Sequence, residues 1–305
     1  MDIVDKRLLT ELTRNCRSTY QELSLKFGFT ANAARKRIEK LIENGTLYSF
    51  TIRPALNTMN GNIAVTLIET DSEESPVEFA DSLGNNEMVG EVNPIATKEK
   101  GFYLVISDYI GSDGFLDLGT FFRRLEHVDK VTMHPVITDQ FYHGKSVEFK
   151  PLDLRVMKYL AQDARMPISR LAEEANLTAR RVRNILKKLE EEQGLVFTIR
   201  WNTAAAGAVR FFIVSEYDSK ESEPEDVVKW FQKEYPKEFW LYWISTSEPI
   251  IFASFTVDSI EEARTISIEI QKNTMLKSIE TWLCYPPMKF KTYPEIWLEN
   301  LLADN

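Results

Sequence analysis

The chain has 305 residues, 44% hydrophobic and 27% charged, which is enough apolar content for real cores and enough length for two or more domains. Its formal net charge is −9 and its two cysteines, Cys16 and Cys284, lie far apart with no CxxC pair, so neither a zinc centre nor a disulfide framework is suggested. No run of about 18 apolar residues occurs and MDIVDKRLL carries acids where a secretory leader starts basic, so a cytoplasmic location and no membrane partner are expected.

Charge is not spread evenly. Residues 1–53 hold ten basic and six acidic side chains and residues 148–202 hold eleven and eight, whereas residues 54–147 hold six and fifteen and residues 203–305 hold ten and seventeen. Basic and acidic blocks therefore alternate twice. An acidic chain repels phosphates as a whole, but these two basic blocks are where a nucleic acid would bind.

In the first basic block the spacing predicts three helices. Val4, Leu8, Leu9 and Leu12 fall on one helical face, TYQELSLKFG opens on a capping Thr and stops at Gly28, and Thr30 caps a third helix running to Asn44. Ala34, Ile38, Leu41 and Ile42 form the apolar stripe of that third helix, leaving Asn32, Arg35, Lys36 and Glu39 on other faces. The short Gly28-Phe29 link gives a tight turn, the pattern of a helix-turn-helix whose second helix enters the DNA major groove.

The first acidic block reads as βαββαβ: NIAVTLIET, SPVEFADSLG, EMVGEVNPIA, GFYLVISDYI, DGFLDLGTFFRRLE and VDKVTMHPVIT. Laying residue 5 over residue 153 then aligns DKRLLTEL with DLRVMKYL and FGFTANAARKRI with EANLTARRVRNI, and the register holds, apart from short insertions, to FTIR at both 50–53 and 197–200. In this second copy Leu152 to Gln162 forms the first helix after Pro151, Leu171 and Ala172 lie on the middle one, and Thr178 caps the third. Val182, Leu186 and Leu189 face inward there. AVRFFIVSEY, EPEDVVKWFQKEYP, EFWLYWIST, PIIFASFTV, SIEEARTISIEIQKN and LKSIETWLCY repeat the βαββαβ order, and YPEIWLENLL adds an amphipathic helix without a counterpart.

The expected fold class is therefore α+β, two winged-helix-like helix-turn-helix domains alternating with two ferredoxin-like βαββαβ domains. The expected segments are 1–53, 60–145, 150–202 and 207–290, with the short C-terminal helix in 291–305. FYLVI, RFFIV and PIIFASF are apolar at successive positions, so the sheet faces that helices leave bare need a partner. Packing of the two plaits against each other within the chain is expected, and a homodimer through the plait domains is the competing outcome.

At the two third helices, Arg180 and Arg183 are placed to pair with guanine edges and Asn32 to reach adenine, while Lys36, Arg37, Lys40, Lys187 and Lys188 are assigned to phosphates. Arg35, Arg181 and Asn184 complete the expected DNA-binding set. Because the two helices differ in sequence, an asymmetric operator is expected.

The stretch from Met1 to Thr51 resembles the Lrp/AsnC family, the feast/famine transcription regulators of bacteria and archaea. The resemblance rests on an opening Asp, an LA-like middle helix, a capped third helix ending Leu-x-x-x-Gly at Leu41 and Gly45, and a short strand leading on. More loosely it covers nearly the whole chain, as if two subunits with RAM-type plaits were fused head to tail. It implies double-stranded DNA as partner, coupled to an amino acid or other small effector. Family plaits commonly carry a Gly-x-Tyr-Asp-like turn at the third strand. Here TKEKGFYLVI and STSEPIIFASF lack the Asp, and Pro249 stands where the second turn would be, so the effector-binding residues are unknown.

Other candidates for chemistry are weak. His127, His134 and His143 have no second His at i+3 or i+4 and no acid-rich metal motif beside them, so no metal site is expected. EFWLYWIS reads as a strand covered on both faces, Glu73-Glu74 and Glu221 with Glu223 as solvated linker charge, and GxxxxGK[ST], GxGxxG and GxSxG are absent. No catalytic residue, no cofactor and no enzymatic activity are expected. Two alternatives are kept. One is an enzyme like the siroheme decarboxylases, which resemble Lrp-type subunits, although HPVITDQFYHGK lacks their His-x-Tyr-x-Arg-like stretch; the other is an architectural or adaptor protein binding DNA without sequence preference.

Overall fold

The computed structural model describes residues 2–98, 100–138, 146–202 and 209–303. In chain order come α1 (Ile3–Arg14), α2 (Tyr20–Phe27), α3 (Ala31–Glu43), β1 (Leu47–Pro54), a 3-10 turn (Leu56–Met59), β2 (Gly61–Thr70), α4 (Pro76–Gly84), β3 (Val89–Pro94), β4 (Phe102–Ile110), α5 (Gly111–Arg123) and β5 (Val128–Ile137). Then follow α6 (Pro151–Leu160), α7 (Ile168–Glu174), α8 (Ala179–Glu191), β6 (Leu195–Trp201), β7 (Val209–Tyr217), α9 (Pro224–Glu234), β8 (Phe239–Ser245), β9 (Ile250–Val257), α10 (Ile260–Ile270), β10 (Leu276–Leu283), β11 (Met288–Lys289) and α11 (Tyr293–Ala303). The chain folds into two compact units, one of Met1–Met59, Gln140–Gly207 and Pro294–Asn305, the other of Asn60–Asp139 and Ala208–Tyr293.

The helical unit is built on caps and apolar stripes. Asp2 accepts from Asp5 N at the start of α1, Thr19 and Glu22 form a reciprocal capping box on α2, and Gly28 closes α2 at φ +74°. Thr30 and Thr178 cap α3 and α8 by accepting from Ala33 N and Arg181 N. Leu8, Leu9, Leu12, Leu23, Ala34, Ile38 and Leu41 are buried in the first three-helix set, and Leu154, Val156, Met157, Leu160, Leu171, Val182, Ile185, Leu186 and Leu189 in the second. Ile42, assigned to the stripe from its spacing, is 44% exposed, because it sits a quarter turn off the Ala34–Ile38–Leu41 line.

The two three-helix sets are joined by strands that pair across the duplication. β1 runs antiparallel to β6, with Phe50 opposite Ile199 and Ile52 opposite Phe197. Cys16 N donates to Phe197 O (2.8 Å) and Ala164 N to Phe50 O (3.1 Å), so each helical set also hydrogen-bonds to the other's strand. Sequence reasoning saw both strands but not this partnership. α11 is tied to the same unit by Arg200 Nη2 on Glu295 Oε1 (2.8 Å) and by Phe149 against Trp297.

The second unit holds a nine-stranded antiparallel array ordered β10-β7-β9-β8-β5-β2-β4-β3-β11. It consists of two ferredoxin-like plaits, β5-β2-β4-β3 and β10-β7-β9-β8, joined where Val136 and Ile137 pair with Ser245 and Ile244. At the other end β11 pairs with β3, and Ile95 bridges Cys284, so both edges of one plait meet the other. α4 and α5 cover Ile68, Tyr103 and Val105, and α9 and α10 cover Phe211, Ile213, Ala253 and Phe255.

The helix-free faces meet each other: His134 lies edge-on to Phe252, Phe102 to Trp282, and Arg210 Nη1 bonds Glu91 Oε1 (2.6 Å) and Asn93 Oδ1 (3.0 Å). The expected sheet-against-sheet packing is thus present, with the edges hydrogen-bonded as well. A buried ion pair inside it was not foreseen. Arg210 is satisfied further by Ser254 Oγ (3.1 Å), and a charge taken out of water persists only with such partners.

Candidate nucleic-acid interface

α3 and α8 each follow a short turn, start on a threonine cap and turn their apolar side inward. Asn32, Arg35, Lys36 and Lys40 are exposed on α3, and Arg180, Arg181, Arg183, Asn184 and Lys187 on α8. Exposure follows from the helical period: buried Ala34, Ile38 and Leu41, or Val182, Ile185, Leu186 and Leu189, use the inward arc and leave the cations outside.

Two residues of the expected set hold the fold together. Arg37 Nη1 donates to Asp2 Oδ2 (2.6 Å) and Asp5 Oδ1 (2.7 Å), anchoring α3 to α1, and these hydrogen bonds hold its guanidinium above its ordinary range. Lys188 Nζ donates to Asp153 Oδ2 (2.7 Å), whose side chain is 5% exposed, and lies 3.7 Å from Glu192 Oε2. The bond to Asp153 raises the Lys188 pKa. Both were assigned to phosphates on helical phase alone, which does not reveal that a neighbouring helix carries a carboxylate.

The rest differ in freedom. Arg35 Nε meets Glu39 Oε1 at 2.8 Å and Lys187 Nζ meets Glu191 Oε1 at 3.6 Å, both one helical turn apart and solvent-exposed, where such pairs are weak and yield to a competing phosphate. Among the described residues no carboxylate pairs with Arg180, Arg181 or Arg183.

Two of the three histidines lie among the described residues. His127, at φ +69°, meets both Asp71 carboxylate oxygens at 3.2 Å while Asp71 N donates to its carbonyl (3.0 Å), closing the loops that follow β2 and α5. Glu73 is close enough to make a three-ligand grouping with Asp71 and His127, which the sequence, read for local spacing, did not reveal. His134 is 2% exposed beside Ser245 Oγ (3.2 Å), and burial holds its imidazole below its ordinary pKa. His143 lies outside the described residues. In EFWLYWIS, Tyr242 and Ile244 face the helix-side core while Trp243 lies against Phe212, so the strand is covered on both faces.

At the turn into β4, Gly101 N donates to Ser72 Oγ (2.8 Å) and Tyr103 OH to Glu74 Oε1 (2.7 Å). These contacts satisfy the turn locally. Sequence reasoning passed over Arg17 and Arg165, which line a cleft with Thr19 and Tyr20; the register that superimposes residue 5 on 153 also superimposes these two and was the available signal.

An AsnC-type helix-turn-helix domain model matches residues 1–42, and a winged helix-turn-helix DNA-binding model matches residues 149–193. The chain is 36% identical over 99 residues to the uncharacterized HTH-type transcriptional regulator PH1916 of Pyrococcus horikoshii, covering 32% of this chain and 66% of the relative, just under two thirds of its length. To PH0045 of the same organism, also named an uncharacterized HTH-type transcriptional regulator, it is 32% identical over 110 residues, 35% of this chain and 68% of the relative. The crystal structure of the siroheme decarboxylase NirDL superimposes with a TM-score of 0.60 over 99% of both chains, at 14% identity, a likeness of fold alone. With the N-terminal domain matched and more than two thirds of a 32% identical relative covered, the chain belongs to the Lrp/AsnC family.

Proposed function

We propose that the protein is a DNA-binding transcription regulator that reads two nonidentical half-sites through α3 and α8, as a tandem of two family units in one chain. The observation that carries this reading is the exposed cluster Arg180, Arg181 and Arg183, without a carboxylate partner among the described residues, on a threonine-capped helix that follows a tight turn, paired with the α3 cluster of Asn32, Arg35, Lys36 and Lys40. Arginine forks match guanine O6 and N7, and asparagine matches adenine. The plaits serve assembly and are the candidate place for a small effector such as an amino acid, as in the family.

Selection from a random duplex pool at near-physiological salt tests the reading, with Arg180→Ala plus Arg183→Ala as control. An asymmetric two-part motif, half of it lost in the control, is expected. A strongly palindromic motif would count against the two-headed arrangement, and a specific-to-random affinity ratio near one would identify a nonspecific adaptor. The shared fold with NirDL favours one further reading, a tetrapyrrole enzyme; a tetrapyrrole absorbance band in the purified protein would revive it.

A further inference from the structure

The connection between α1 and α2 and its counterpart between α6 and α7 present the same construction twice. Arg17 N donates to Asn15 Oδ1 (2.9 Å) and Arg165 N to Asp163 Oδ1 (2.9 Å), so each arginine leaves a local side-chain turn of the same kind. Each then reaches across the duplication. Arg17 Nη1 donates to Ala164 O (2.6 Å) and Arg165 Nη2 to Ser18 O (3.2 Å). An aromatic ring of the opposite copy backs each guanidinium, Phe197 for Arg17 at 5.8 Å and Phe50 for Arg165 at 5.2 Å, and Tyr20 lies 4.6 Å from Arg165.

Between them is a cleft of about 220 Å³ lined by Arg17, Thr19, Tyr20 and Arg165. Two carboxylates stand near it: Glu190, 4.0 Å from Arg17 Nε and 44% exposed, and Asp163, which accepts the Arg165 amide; among the described residues no carboxylate pairs with the Arg165 guanidinium. Arg165 Nη1 is buried with no hydrogen-bond acceptor, and an orphaned donor on a charged group is costly unless something outside the chain supplies the acceptor. Desolvation depresses the Arg17 pKa; the Glu190 carboxylate opposes this and repulsion from Arg165 adds to it.

We propose that this cleft is a binding site for a phosphate group, held between the guanidinium groups of Arg17 and Arg165 and bridging the two helix-turn-helix segments. Two guanidinium groups, one from each copy, suit a phosphate, whose oxygens point in several directions, better than a flat carboxylate. A phosphate monoester brings up to two negative charges to them and a backbone phosphodiester one. Because one arginine comes from each copy, occupancy ties the first reading head to the second. The phosphate belongs either to a small phosphorylated molecule or to the DNA backbone, and the test separates these sources.

The full-length wild-type chain is treated with phenylglyoxal in inorganic phosphate, in chloride of matched ionic strength, and with duplex DNA, and modified arginines are mapped by mass spectrometry. Several-fold slower modification of both Arg17 and Arg165 in phosphate than in chloride, with Arg183 as exposed reference unchanged, is expected and assigns a free phosphorylated ligand. Protection by duplex but not by inorganic phosphate assigns the same site to the DNA backbone. Protection of neither arginine, or equal slowing of every arginine in phosphate, overturns the proposal. Titration calorimetry with inorganic phosphate on Arg17→Lys and Arg165→Lys, with folding checked by circular dichroism, adds a second readout. Charge remains but the fork is lost, so affinity falls in each, and unchanged affinity in both folded variants would likewise refute the site.

Discussion

The two helix-turn-helix segments meet one structural requirement with different residues. In each, a carboxylate on the first helix holds the third: Asp5 on α1 takes Arg37, whereas Asp153, at the equivalent position on α6, takes Lys188. Counted from the threonine caps Thr30 and Thr178, Ile185, which is 4% exposed, stands where α3 has Arg37, and Lys188 where α3 has Lys40. Moving the anchoring cation by one turn changes which charges remain free. α8 keeps three arginines without a carboxylate partner among the described residues, while on α3 Arg35 is already engaged by Glu39. A fold can therefore conserve an interaction while reassigning the position that makes it, and the freed face sets what each copy can bind.

The largest expected effect lies on that freed face. A good bidentate arginine–guanine pair contributes about 1–3 kcal/mol of discrimination, and about 1.4 kcal/mol is tenfold in affinity. Arg180→Ala plus Arg183→Ala is expected to weaken binding to the selected duplex by about 100-fold, and Arg35→Ala plus Lys36→Ala by about tenfold or less. Fluorescence anisotropy at one fixed salt concentration reads both. Equal losses would mean that the charge difference between the copies does not reach the DNA.

Next come the anchors. Asp153→Asn removes the carboxylate charge facing Lys188 Nζ and leaves one neutral amide oxygen for Lys188 Nζ and Lys150 N (2.9 Å) to share, and is expected to cost about 2 kcal/mol, less than for a fully buried pair because Lys188 is 29% exposed. Asp5→Asn leaves Arg37 its bond to Asp2 and is expected to cost under about 1 kcal/mol in the same urea unfolding measurement. The Lys188 pKa is raised in the folded state, so its contribution is complete below the unfolded lysine value of about 10.4 and disappears as pH rises through the folded one. Asp153→Asn should abolish that alkaline component. Should the two asparagine variants be equally destabilised, the anchors are equivalent despite their different burial.

The threonine caps are the control in which the copies should agree. Thr30 and Thr178 accept from the third backbone amide after them at the same 3.2 Å, so Thr30→Ala and Thr178→Ala are each expected to cost about 1 kcal/mol. A clear inequality would show that tertiary packing, rather than the cap, holds one of the two helices.

These caps were legible in the sequence because a cap is local chemistry, read from a Thr before a periodic helix. The same holds for the plait strands, whose apolar runs fixed where they lie. What was not legible was long-range. β1 meets β6 with well over a hundred residues between them, and neither strand names its partner. β11 is two residues long and shows no periodicity to detect. Arg37 and Lys188 looked like phosphate contacts because helical phase gives a direction, not what lies in it. Arg17 and Arg165 needed both the register and the fold, since neither alone shows that each reaches the other copy's carbonyl.

The smallest effect concerns the turn itself, where the copies again use different residues for one backbone demand. Gly28 has φ +74° and closes α2 through its amide on Ser24 O (2.9 Å), while in the second copy Asn176, φ +50°, takes the left-handed position. A methyl group at Gly28 would meet no atom within 4 Å, so Gly28→Ala is penalised by its conformation alone, about 1 kcal/mol. Asparagine tolerates the left-handed region far better than alanine, so Gly28→Asn should cost less than Gly28→Ala. In the other copy Asn176→Gly should stay within about 0.5 kcal/mol, because relief of the side-chain clash offsets the greater entropy of the unfolded chain. Urea unfolding of the three variants ranks them. If Gly28→Asn proved as costly as Gly28→Ala, the two turns would differ in more than the residue that fills them, and the shared register would stop at the helices.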